Sequence, residues 1–360
     1  MDLWPFKPKS EVIESLEWLT DLFRAKAGEQ RTAIRINPRR SFNLSHVLND
    51  YEYASAIALM RANQGDGFYV PEWPASTNVG SVSGTVAVPD GFPDKAVVWQ
   101  SNAKYELADV VRDPGGDTVV LVGSYSNARL IPAHIGYCPD GLENDRGAAG
   151  INQCSLTFIV YDTQDLGSTV YTQYRDHDVV ETCPVIGAGS FSESVTWPLS
   201  AFDNQVSIAE YIRERSTPDM KFDMRWHEFT AEGIAELVAW LYSLRGRQKA
   251  FWLSSRGKDL EPVGSVSGAT LTVYARPGLA ALTNVDLDID GEYRQVTNIV
   301  AGTPVGGRDT LNLTISTLTN PTIKRISFLR CARFDSDRIE LLHRAAEGTA
   351  VRVPCIEIAP

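Results

Sequence analysis

Apolar residues recur at helical spacing in two stretches that lie about 180 positions apart. The later stretch, TAEGIAELVAWLYSLRG, repeats them every three or four positions: Ile234, Leu237, Val238, Leu241 and Leu244. Thr230 before it suits the N-cap of a helix, and Gly246 after it suits the left-handed position that ends one. The earlier stretch, YEYASAIALMRANQG, has residues in comparable positions: Ile57, Met60 and Gly65. The pattern therefore predicts one helix in each half of the chain.

A further helix is predicted before both of these. The stretch SEVIESLEWLTDLFRAK places apolar residues on one helical stripe: Val12, Leu16, Leu19 and Phe23. Ser10 is its expected N-cap.

Alternating apolar and polar residues predict strands and hairpins in the rest of the chain. VDLDIDGEYRQV alternates around Asp290–Gly291, and an Asp-Gly pair favours a two-residue hairpin turn because both central residues need positive φ. A second hairpin is predicted in RIELLHRAAEGTAVRVPCIEI, with its turn near Glu347–Gly348, and CSLTFIVYD is its expected counterpart in the first half. Short strands are also expected around Phe42 and Phe222 and in the aromatic runs GFYVPEW and AFWLSS.

The hexamer VGSVSG occurs twice, at residues 79–84 and 263–268. A repeated hexamer of common residues can arise by chance, but other landmarks recur in the same order. Their offsets rise steadily from 180 to 193 positions along this series of pairs: Pro38 and Pro218, Phe42 and Phe222, Phe68 and Phe251, Tyr105 and Tyr293, Asp117 and Asp309, Cys138 and Cys331. A rising offset is typical of a tandem duplication with small loop insertions.

These patterns predict an α+β chain that is mostly antiparallel β. It would contain two tandem pseudo-repeated modules, each a small β-barrel or sandwich with one packed helix. The expected divisions are an N-terminal helical segment (1–30), a first β module (31–165), an extended linker with edge strands (166–205) and a second β module (206–360).

The composition is that of a globular protein, with 43% apolar and 22% charged residues and a net charge of −11. This charge argues against a nucleic-acid binder and against docking on an anionic membrane. No apolar run reaches the roughly 18 residues that span a bilayer, and the N-terminus does not resemble a signal peptide. Five cysteines without a C-x-x-C pair suggest buried, reduced thiols: Cys138, Cys154, Cys183, Cys331 and Cys355.

The most polar cluster, YRDHDVVE, contains Asp176, His177, Asp178 and Glu181. It fits a His/Asp metal site or a catalytic dyad, but a charge run is more often a solvated face. His46 and His227 lie at roughly similar places in the two repeats and suggest ligands, or else strand-end histidines bonded to backbone.

The acidic run DLDIDGE nearly meets the spacing of a calcium loop at Asp286, Asp288 and Asp290, but position 297 is Thr where that loop needs Glu. A polar outer face of a hairpin is the preferred interpretation. GAGSFS at 187–192 lacks the G-x-S-x-G pattern, and the glycines of DPGGD and GTPVGGRD suit turns. Eight tryptophans fit a sugar site or, by default, a core or subunit interface. We therefore predict no catalytic, cofactor-binding or metal-binding residues.

Three blocks of the chain resemble tail proteins of long-tailed (siphovirus-type) bacteriophages. They are SLEWLTDLFRAKAGEQRTAIRINPRRSF near the start, RGRQKAFWLSSRGKDL in the middle and RISFLRCARFDSDRIELLH near the end. Ser254 stands where that family usually has Pro, which affects a turn. The resemblance implies a structural protein of the distal tail or upper baseplate, located in the virion, made in the bacterial host cytoplasm and without enzymatic activity.

The expected function is a ring of three or six copies that joins the tail tube to baseplate hub proteins and leaves a channel for DNA. Acidic residues facing that channel would repel phosphates, so DNA would pass without specific binding. The main alternative is a carbohydrate-binding adhesin with a β-rich surface, and a hydrolase is a third class. No cofactor and no membrane contact are expected.

Overall fold

The computed structural model describes residues 2–9, 11–25, 28–63, 65–89, 92–147, 150–161, 166–169, 171–185, 191–197, 199–203, 205, 208–213, 218–282, 285–320, 322–345 and 347–359. We call residues 2–161 the first half and residues 166–359 the second half. The first half contains, in chain order, β1 (Glu11–Ala25), β2 (Gly28–Leu48), α1 (Asp50–Ala62), β3 (Phe68–Pro71), β4 (Thr77–Ala87), β5 (Lys95–Ser101), β6 (Lys104–Val111), β7 (Thr118–Tyr137), β8 (Glu143–Arg146) and β9 (Asn152–Val160).

The second half contains β10 (Gln173–Tyr174), β11 (His177–Val179), β12 (Phe191–Thr196), β13 (Leu199–Phe202), β14 (Glu210–Arg213), β15 (Asp219–Glu228), α2 (Ala231–Leu244), β16 (Phe251–Ser254), β17 (Val266–Tyr274), β18 (Val285–Ile289), β19 (Glu292–Val296), β20 (Asn298–Ala301), β21 (Thr310–Asn320), β22 (Ile326–Phe334), β23 (Arg338–Arg344) and β24 (Gly348–Glu357). Short 3₁₀ helices lie at Trp73–Ala75 and Leu279–Ala281.

The predicted class is confirmed, because the described chain is mostly antiparallel β with two α-helices. Its strands form a branched 19-stranded sheet, a two-stranded sheet and a three-stranded sheet. These sheets are not closed, so the small barrel or sandwich expected in each half stays a prediction.

The helix predicted in each half is present as α1 or α2, and the helix ends follow from local chemistry. The Thr230 side chain accepts a hydrogen bond from the Gly233 amide at the start of α2, and Arg245 and Gly246 both adopt positive φ at its end. At α1, Asn49 and Glu52 form a reciprocal capping box. The cap of α2 and the terminating glycine were therefore predicted correctly.

The predicted N-terminal helix is wrong, because residues 11–25 form the strand β1. Val12 and Leu16 are four positions apart, a spacing that fits one face of a helix and also one face of a strand. Leu19 and Phe23, which the predicted helix would bury, are 42% and 67% exposed, whereas Trp18 is fully buried. β1 pairs with β2 on one side and with β23 on the other, so it joins the two halves. Ser10, the expected cap, lies outside the described residues.

The strand registers of the two halves correspond, beginning with β1 and β12. In the first half Glu14 lies opposite Phe42, within the sequence ESLEW. In the second half Glu193 lies opposite Phe222, within the sequence ESVTW. The stretch predicted to be a linker therefore contains the counterpart of the N-terminal strand.

A second match lies just before these strands. Leu3 forms a parallel bridge with Tyr69 of β3, and Val179 of β11 lies parallel to Trp252 of β16. Parallel pairing is rare in this otherwise antiparallel sheet. The first residues of the chain and the residues around β11 thus occupy equivalent edges of the two halves.

The repeated hexamers have a physical role in two matching antiparallel strand pairs, β4 with β7 and β17 with β21. Gly80 and Gly264 have φ of 70° and 77°, and Gly84 and Gly268 have φ of 74° and 124°. Glycine adopts such angles without the steric cost that a Cβ adds. The ladders of β4 with β7 and of β17 with β21 both shift register next to the second glycine. The hexamer therefore encodes the same backbone irregularity twice.

The register also corrects one matched pair. Phe68 lies opposite Gly136, and Phe251 lies opposite Ala332. Gly136 and Ala332 are 196 positions apart, so the offset continues to rise toward the end of the repeat. Cys331 therefore corresponds to Ile135, and its assignment to Cys138 was wrong by three residues.

The second half has a small separate cluster around Trp252. Each half also has two larger apolar cores of the same kind. One lies between the helix and the sheet, and the other lies among the long hairpins. The first-half cores centre on Trp4, Phe42 and Phe158 and on Val98, Val119 and Leu130. The second-half cores centre on Trp226, Trp240 and Phe334 and on Leu271, Leu287 and Leu313.

Candidate functional site

The cluster singled out in YRDHDVVE forms the turn and edge of a small hairpin. Asp176 has a φ of 65° in the turn, and Asp178 accepts a hydrogen bond from Gln173 across the β10–β11 pair. Glu181 accepts from the Thr172 hydroxyl at 2.5 Å. In the part of the chain that the structure describes, no group of three His, Cys, Asp or Glu residues is placed to hold a metal ion.

The predicted polar outer face at Asp286, Asp288 and Asp290 is wrong for the first two residues, which are each 3% exposed. Tyr174 and Arg175 cover Asp286, with the Tyr174 hydroxyl at 2.8 Å and Arg175 Nη1 also at 2.8 Å. Residues 171–185 pack on this face of the sheet, and sequence spacing did not reveal that packing. Each buried carboxylate has an arginine partner, so these residues serve the fold.

Asp288 accepts from the Ser254 hydroxyl at 2.6 Å and from Arg325 at 3.1 Å. Asp290 accepts from the backbone amides of Lys324 and Arg325, both at 2.9 Å. As predicted, Asp290 and Gly291 adopt positive φ in the hairpin turn.

His46 and His227 do not occupy equivalent positions. When Phe42 is matched with Phe222, the counterpart of His46 is Trp226, and His227 is the next residue, whose side chain faces the other side of the sheet. His46 is fully buried, accepts a hydrogen bond from Trp4 Nε1 at 3.2 Å and bonds the Lys7 carbonyl at 3.1 Å. Burial lowers the pKa of His46 to about 4, although the Lys7 carbonyl favours the charged form. The position of His46 is occupied by Trp226 in the second half, which is also fully buried.

The described part of the remaining motifs agrees with turns and core. The loops of DPGGD and GTPVGGRD contain glycines with positive φ at 116, 306 and 307. In GAGSFS, residues 187–190 lie outside the described residues, and residues 191 and 192 begin β12. Six of the eight tryptophans are buried, which supports the core interpretation: Trp4, Trp18, Trp73, Trp226, Trp240 and Trp252.

All five cysteines are free thiols, but the expectation that all are buried is wrong. Cys154, Cys331 and Cys355 are buried, whereas Cys183 is exposed. Burial raises the pKa of the Cys331 thiol to about 12, so it is protonated at neutral pH.

A network of buried charges lies where the two halves meet, and sequence reasoning missed it. Arg40 Nε donates to Glu14 Oε1 at 2.6 Å, and a second Arg40 nitrogen donates to Glu72. His134 Nε2 lies 2.7 Å from Glu72, and His343 Nε2 lies 3.0 Å from Glu14. His343 belongs to β23 of the second half, so the network crosses from one half to the other.

The arginine keeps both carboxylates of this network ionised. Burial alone would raise the pKa of Glu72, but Arg40 and His134 outweigh it and lower that pKa to about 2. The pKa of Glu14 is also lowered, because Arg40 and His343 outweigh burial. Both carboxylates are hydrogen-bonded to the arginine and each also to a histidine, so the arrangement favours a structural role over chemistry.

The network lies beside a groove of about 1120 Å³ between the halves. Ile234 and Val238 of α2 line its second-half side, and Phe92 and Pro93 line its first-half side. The polar groups at its floor already bond one another. The groove therefore presents mainly apolar surface.

A second connection between the halves is made by the first arm, which we define as residues 19–36 at the end of the β1–β2 hairpin. Arg333 Nε and Nη2 donate to the two carboxylate oxygens of Glu29 at 2.6 and 3.0 Å. The side chain of Arg333 is fully buried. This bidentate geometry is the strongest form of an arginine–carboxylate bond.

Further polar contacts fix the base of the first arm. Asp337 accepts from the amide and the hydroxyl of Thr20 at 2.9 and 2.8 Å, and also from the Arg247 amide at 3.0 Å. Gln248 Nε2 donates to the Arg35 carbonyl at 2.9 Å. We call Arg247, Arg333, Asp335 and Asp337 the second-half docking surface.

No family model matches the chain, and no curated protein is similar to it. Neither helix in the described residues has the length and apolar character needed to cross a membrane. The contacts described above make the candidate site a contact surface, built from the first arm and the residues that receive it. The one sequence signal for it was Arg333 in the largely apolar strand ISFLRCARF.

Proposed function

We propose that this protein is a structural component of a phage tail that assembles into a ring. One observation carries the proposal: the first half extends an arm that binds the second half, and the second half repeats the registers of the first. Units that reach onto a similar neighbour form closed rings when the rotation between them closes. The arrangement within one chain is therefore a model for contacts between chains.

We also propose two tandem pseudo-repeated modules with boundaries revised by the register. The first would span residues 1–161 and the second residues 166–360. Each would begin with the edge segment at Leu3 or Val179, continue through β1 or β12, and then carry the arm, the helix and the hairpins. The former N-terminal segment and the former linker thus become the first part of each module.

The resemblance of three sequence blocks to distal tail proteins supplies the setting for this ring. Its neighbours would be the tail tube and the baseplate hub, and its central channel would let DNA pass. The net charge of −11 supports passage without binding, because acidic walls repel phosphates. Three chains would provide six modules around the channel, and six chains would provide twelve.

Native mass spectrometry and negative-stain imaging of the purified protein test the proposal. We expect closed rings with a central hole and a mass of three or six chains. In phage particles that carry this protein, imaging at subunit resolution should place it at the distal end of the tail. Compact monomers in solution together with a position elsewhere in the particle would overturn the proposal.

The alternative, a carbohydrate-binding adhesin, is favoured by one feature. Tyr137 and Tyr161 stack with ring centroids 5.0 Å apart, and Tyr161 is 52% exposed. Exposed aromatic faces can bind sugar rings. Binding on a glycan array that is lost in Tyr161→Ala would support this alternative.

A further inference from the structure

The first half has a cavity at the place that corresponds to the second-half docking surface. It has a volume of about 550 Å³, and its lining includes Met60, Arg61, Phe68, Tyr137, Cys138 and Tyr161. We call it the first-half cavity. Its walls come from the end of α1 and the residues at and after the end of β7, as the docking surface comes from residues after α2 and at and after the end of β22.

The strand register shows which residue of the first-half cavity corresponds to Arg333 of the docking surface. Gly136 and Ala332 lie opposite Phe68 and Phe251, which are equivalent positions of β3 and β16. The next residue along β22 is Arg333, and the next residue along β7 is Tyr137. The buried arginine that binds the first arm therefore has a tyrosine as its counterpart in the first-half cavity.

The second half has its own arm, which we call the second arm and define as the described residues between 199 and 213, namely 199–203, 205 and 208–213. Its two strands repeat the register of the first arm: Leu199 lies opposite Arg213, as Thr20 lies opposite Ala33. Among the described residues, β13 and β14 pair only with each other.

The second arm exposes large apolar side chains to an unusual degree. Exposure is 63% for Phe202, 96% for Ile208, 65% for Tyr211 and 56% for Ile212. A group of exposed aromatic and aliphatic residues on one projecting hairpin indicates an interaction site.

The side chains of the two arms differ in charge, and so do the second-half docking surface and the first-half cavity. Counting along the shared register, the position of Glu29 is occupied by Ala209 in the second arm, and the position of Arg31 by Tyr211. The carboxylate of the first arm meets Arg333, whereas an alanine in the second arm would meet Tyr137. Ion-pair chemistry has been exchanged for apolar chemistry on both sides of the contact at once.

The rim of the contact offers a charge pair as well. Arg61 lines the first-half cavity and is exposed, and Glu210 is exposed on the second arm. An arginine at one edge and a carboxylate at the other would fix the orientation of an otherwise apolar contact.

We propose that the second arm of one copy binds the first-half cavity of a second copy of this chain. This inference rests on the proposed ring and names its interface. The first arm bridges the two halves within a chain, and the second arm repeats the same step onto the next chain. Since the two contacting surfaces are different, the contact is heterologous and can close into a ring.

An exchange of chemistry tests the contact at its central position. Ala209→Glu alone would place a carboxylate against Tyr137, and Tyr137→Arg alone would place a cation in an apolar contact. We expect each single variant to raise the half-assembly concentration by about 30-fold or more, the effect of losing a central interface residue. The double variant, which copies the Glu29–Arg333 pair, should recover most of the assembly. Val122→Glu, at a 97% exposed apolar residue of β7, is the matched control and should assemble normally.

Mixing the two single variants gives a further test. In a mixed ring, an Ala209→Glu arm can bind a Tyr137→Arg cavity, and the next contact then has the natural residues on both sides. Equimolar mixing should therefore restore assembly through strict alternation. A ring closed in this way needs an even number of copies, so recovery favours six over three.

Cross-linking detects the contact even where assembly is weak. In a Cys138→Ser, Cys183→Ser background, Ala209→Cys with Tyr137→Cys should give inter-chain multimers with a short bismaleimide. Val122→Cys with Tyr137→Cys should give none, and circular dichroism checks that every variant is folded.

Three results would overturn the proposed contact. One is the absence of inter-chain linkage at high protein concentration. Another is a ring whose assembly is unchanged by both single variants, which would leave the ring function standing and place the interface elsewhere. The third is a glycan that binds the first-half cavity and is lost in Tyr137→Arg while assembly is unaffected.

Discussion

The first arm and the second arm share one backbone register but differ in what their side chains contact. The first arm ends in a carboxylate, Glu29, which binds the fully buried Arg333 of its own chain. The second arm has Ala209 at that position and exposes Phe202 and Ile208. The comparison shows that two hairpins with the same register can differ in what they bind because of a few side chains.

The physical chemistry of the two contacts also suits their different roles. A buried ion pair is costly to break, since removing one partner leaves an unpaired charge away from water. Such a contact is suited to two halves that are never separated. An apolar contact leaves no unpaired buried charge when it separates, and burying its exposed side chains drives assembly. This suits a surface that meets its partner only when a particle is built.

Among the variants that test this comparison, Arg333→Met should change the free energy of unfolding most. The substitution removes both hydrogen bonds to Glu29 and leaves its partly buried carboxylate with only the longer contacts of Arg24 and Arg31 at 3.4 and 3.6 Å. At present Arg333, with these two arginines, outweighs burial and lowers the pKa of Glu29. We expect a loss of about 3–5 kcal/mol in the free energy of unfolding. Urea denaturation followed by fluorescence measures this loss.

Arg352→Met is the matched control for that experiment. Arg352 pairs with Asp223 at the surface and is 68% exposed, so water screens the pair and its loss should change the unfolding free energy far less than the loss of Arg333. Equal losses for the two arginine variants would show that the first arm does not depend on a buried ion pair.

The next effect in size is a pH dependence of the unfolding free energy. It should come from His46 of the first half and have no counterpart in the second half, where the matching residue is Trp226. Protonated His46 would direct a second N–H at Trp4 Nε1, which already donates to it. The folded state therefore keeps the pKa near 4, whereas the unfolded chain takes up the proton near 6.5. Stability should be fully present above pH 6.5 and should fall by about 3 kcal/mol as pH decreases to 4.

His46→Gln removes this contribution and keeps a polar side chain. The difference in unfolding free energy between the natural protein and the variant should be constant above pH 7 and should shrink as pH falls from 6.5 to 4. A difference that stays constant across that interval would refute the assignment.

The smallest expected loss of stability tests whether the two VGSVSG hexamers have the same backbone conformation. Gly80 and Gly264 have nearly equal positive φ, and a Cβ at either would meet no atom within 4 Å. Gly80→Ala and Gly264→Ala should therefore each cost about 1–2 kcal/mol through backbone strain alone, and the two costs should agree. Denaturation midpoints measure both, with Gly28→Ala as a control whose glycine has open space and no positive φ. A clearly larger cost in one half would argue against equivalent backbones.

Local signals predicted both helices and several hairpins correctly. Thr230 and Gly246 mark the ends of α2 because capping depends on the nearest residues. The failure at β1 has an equally local cause, since Val12 and Leu16 fit either period. The choice was made by β2 and β23, which pair with β1 on its two sides and supply the hydrogen bonds that a strand needs.

The candidate site was harder to predict than the fold. Nothing in the sequence placed Glu29 next to Arg333, because the two residues are 304 positions apart. Likewise, Asp286 has the alternation of a solvent-facing residue and lies buried under Tyr174 and Arg175. Contacts between distant segments cannot be read from spacing, because spacing reports only which residues share a face.

By itself the sequence determined the β-rich class, the positions of the two helices and the repetition marked by VGSVSG, because propensity, capping and glycine freedom act within a few residues. The tertiary structure alone decided that the N-terminal segment is a strand joining both halves, that the central charges are buried, and that one arm is bound while its counterpart is exposed. Those outcomes depend on long-range pairing and on desolvation, which arise only when distant segments come together.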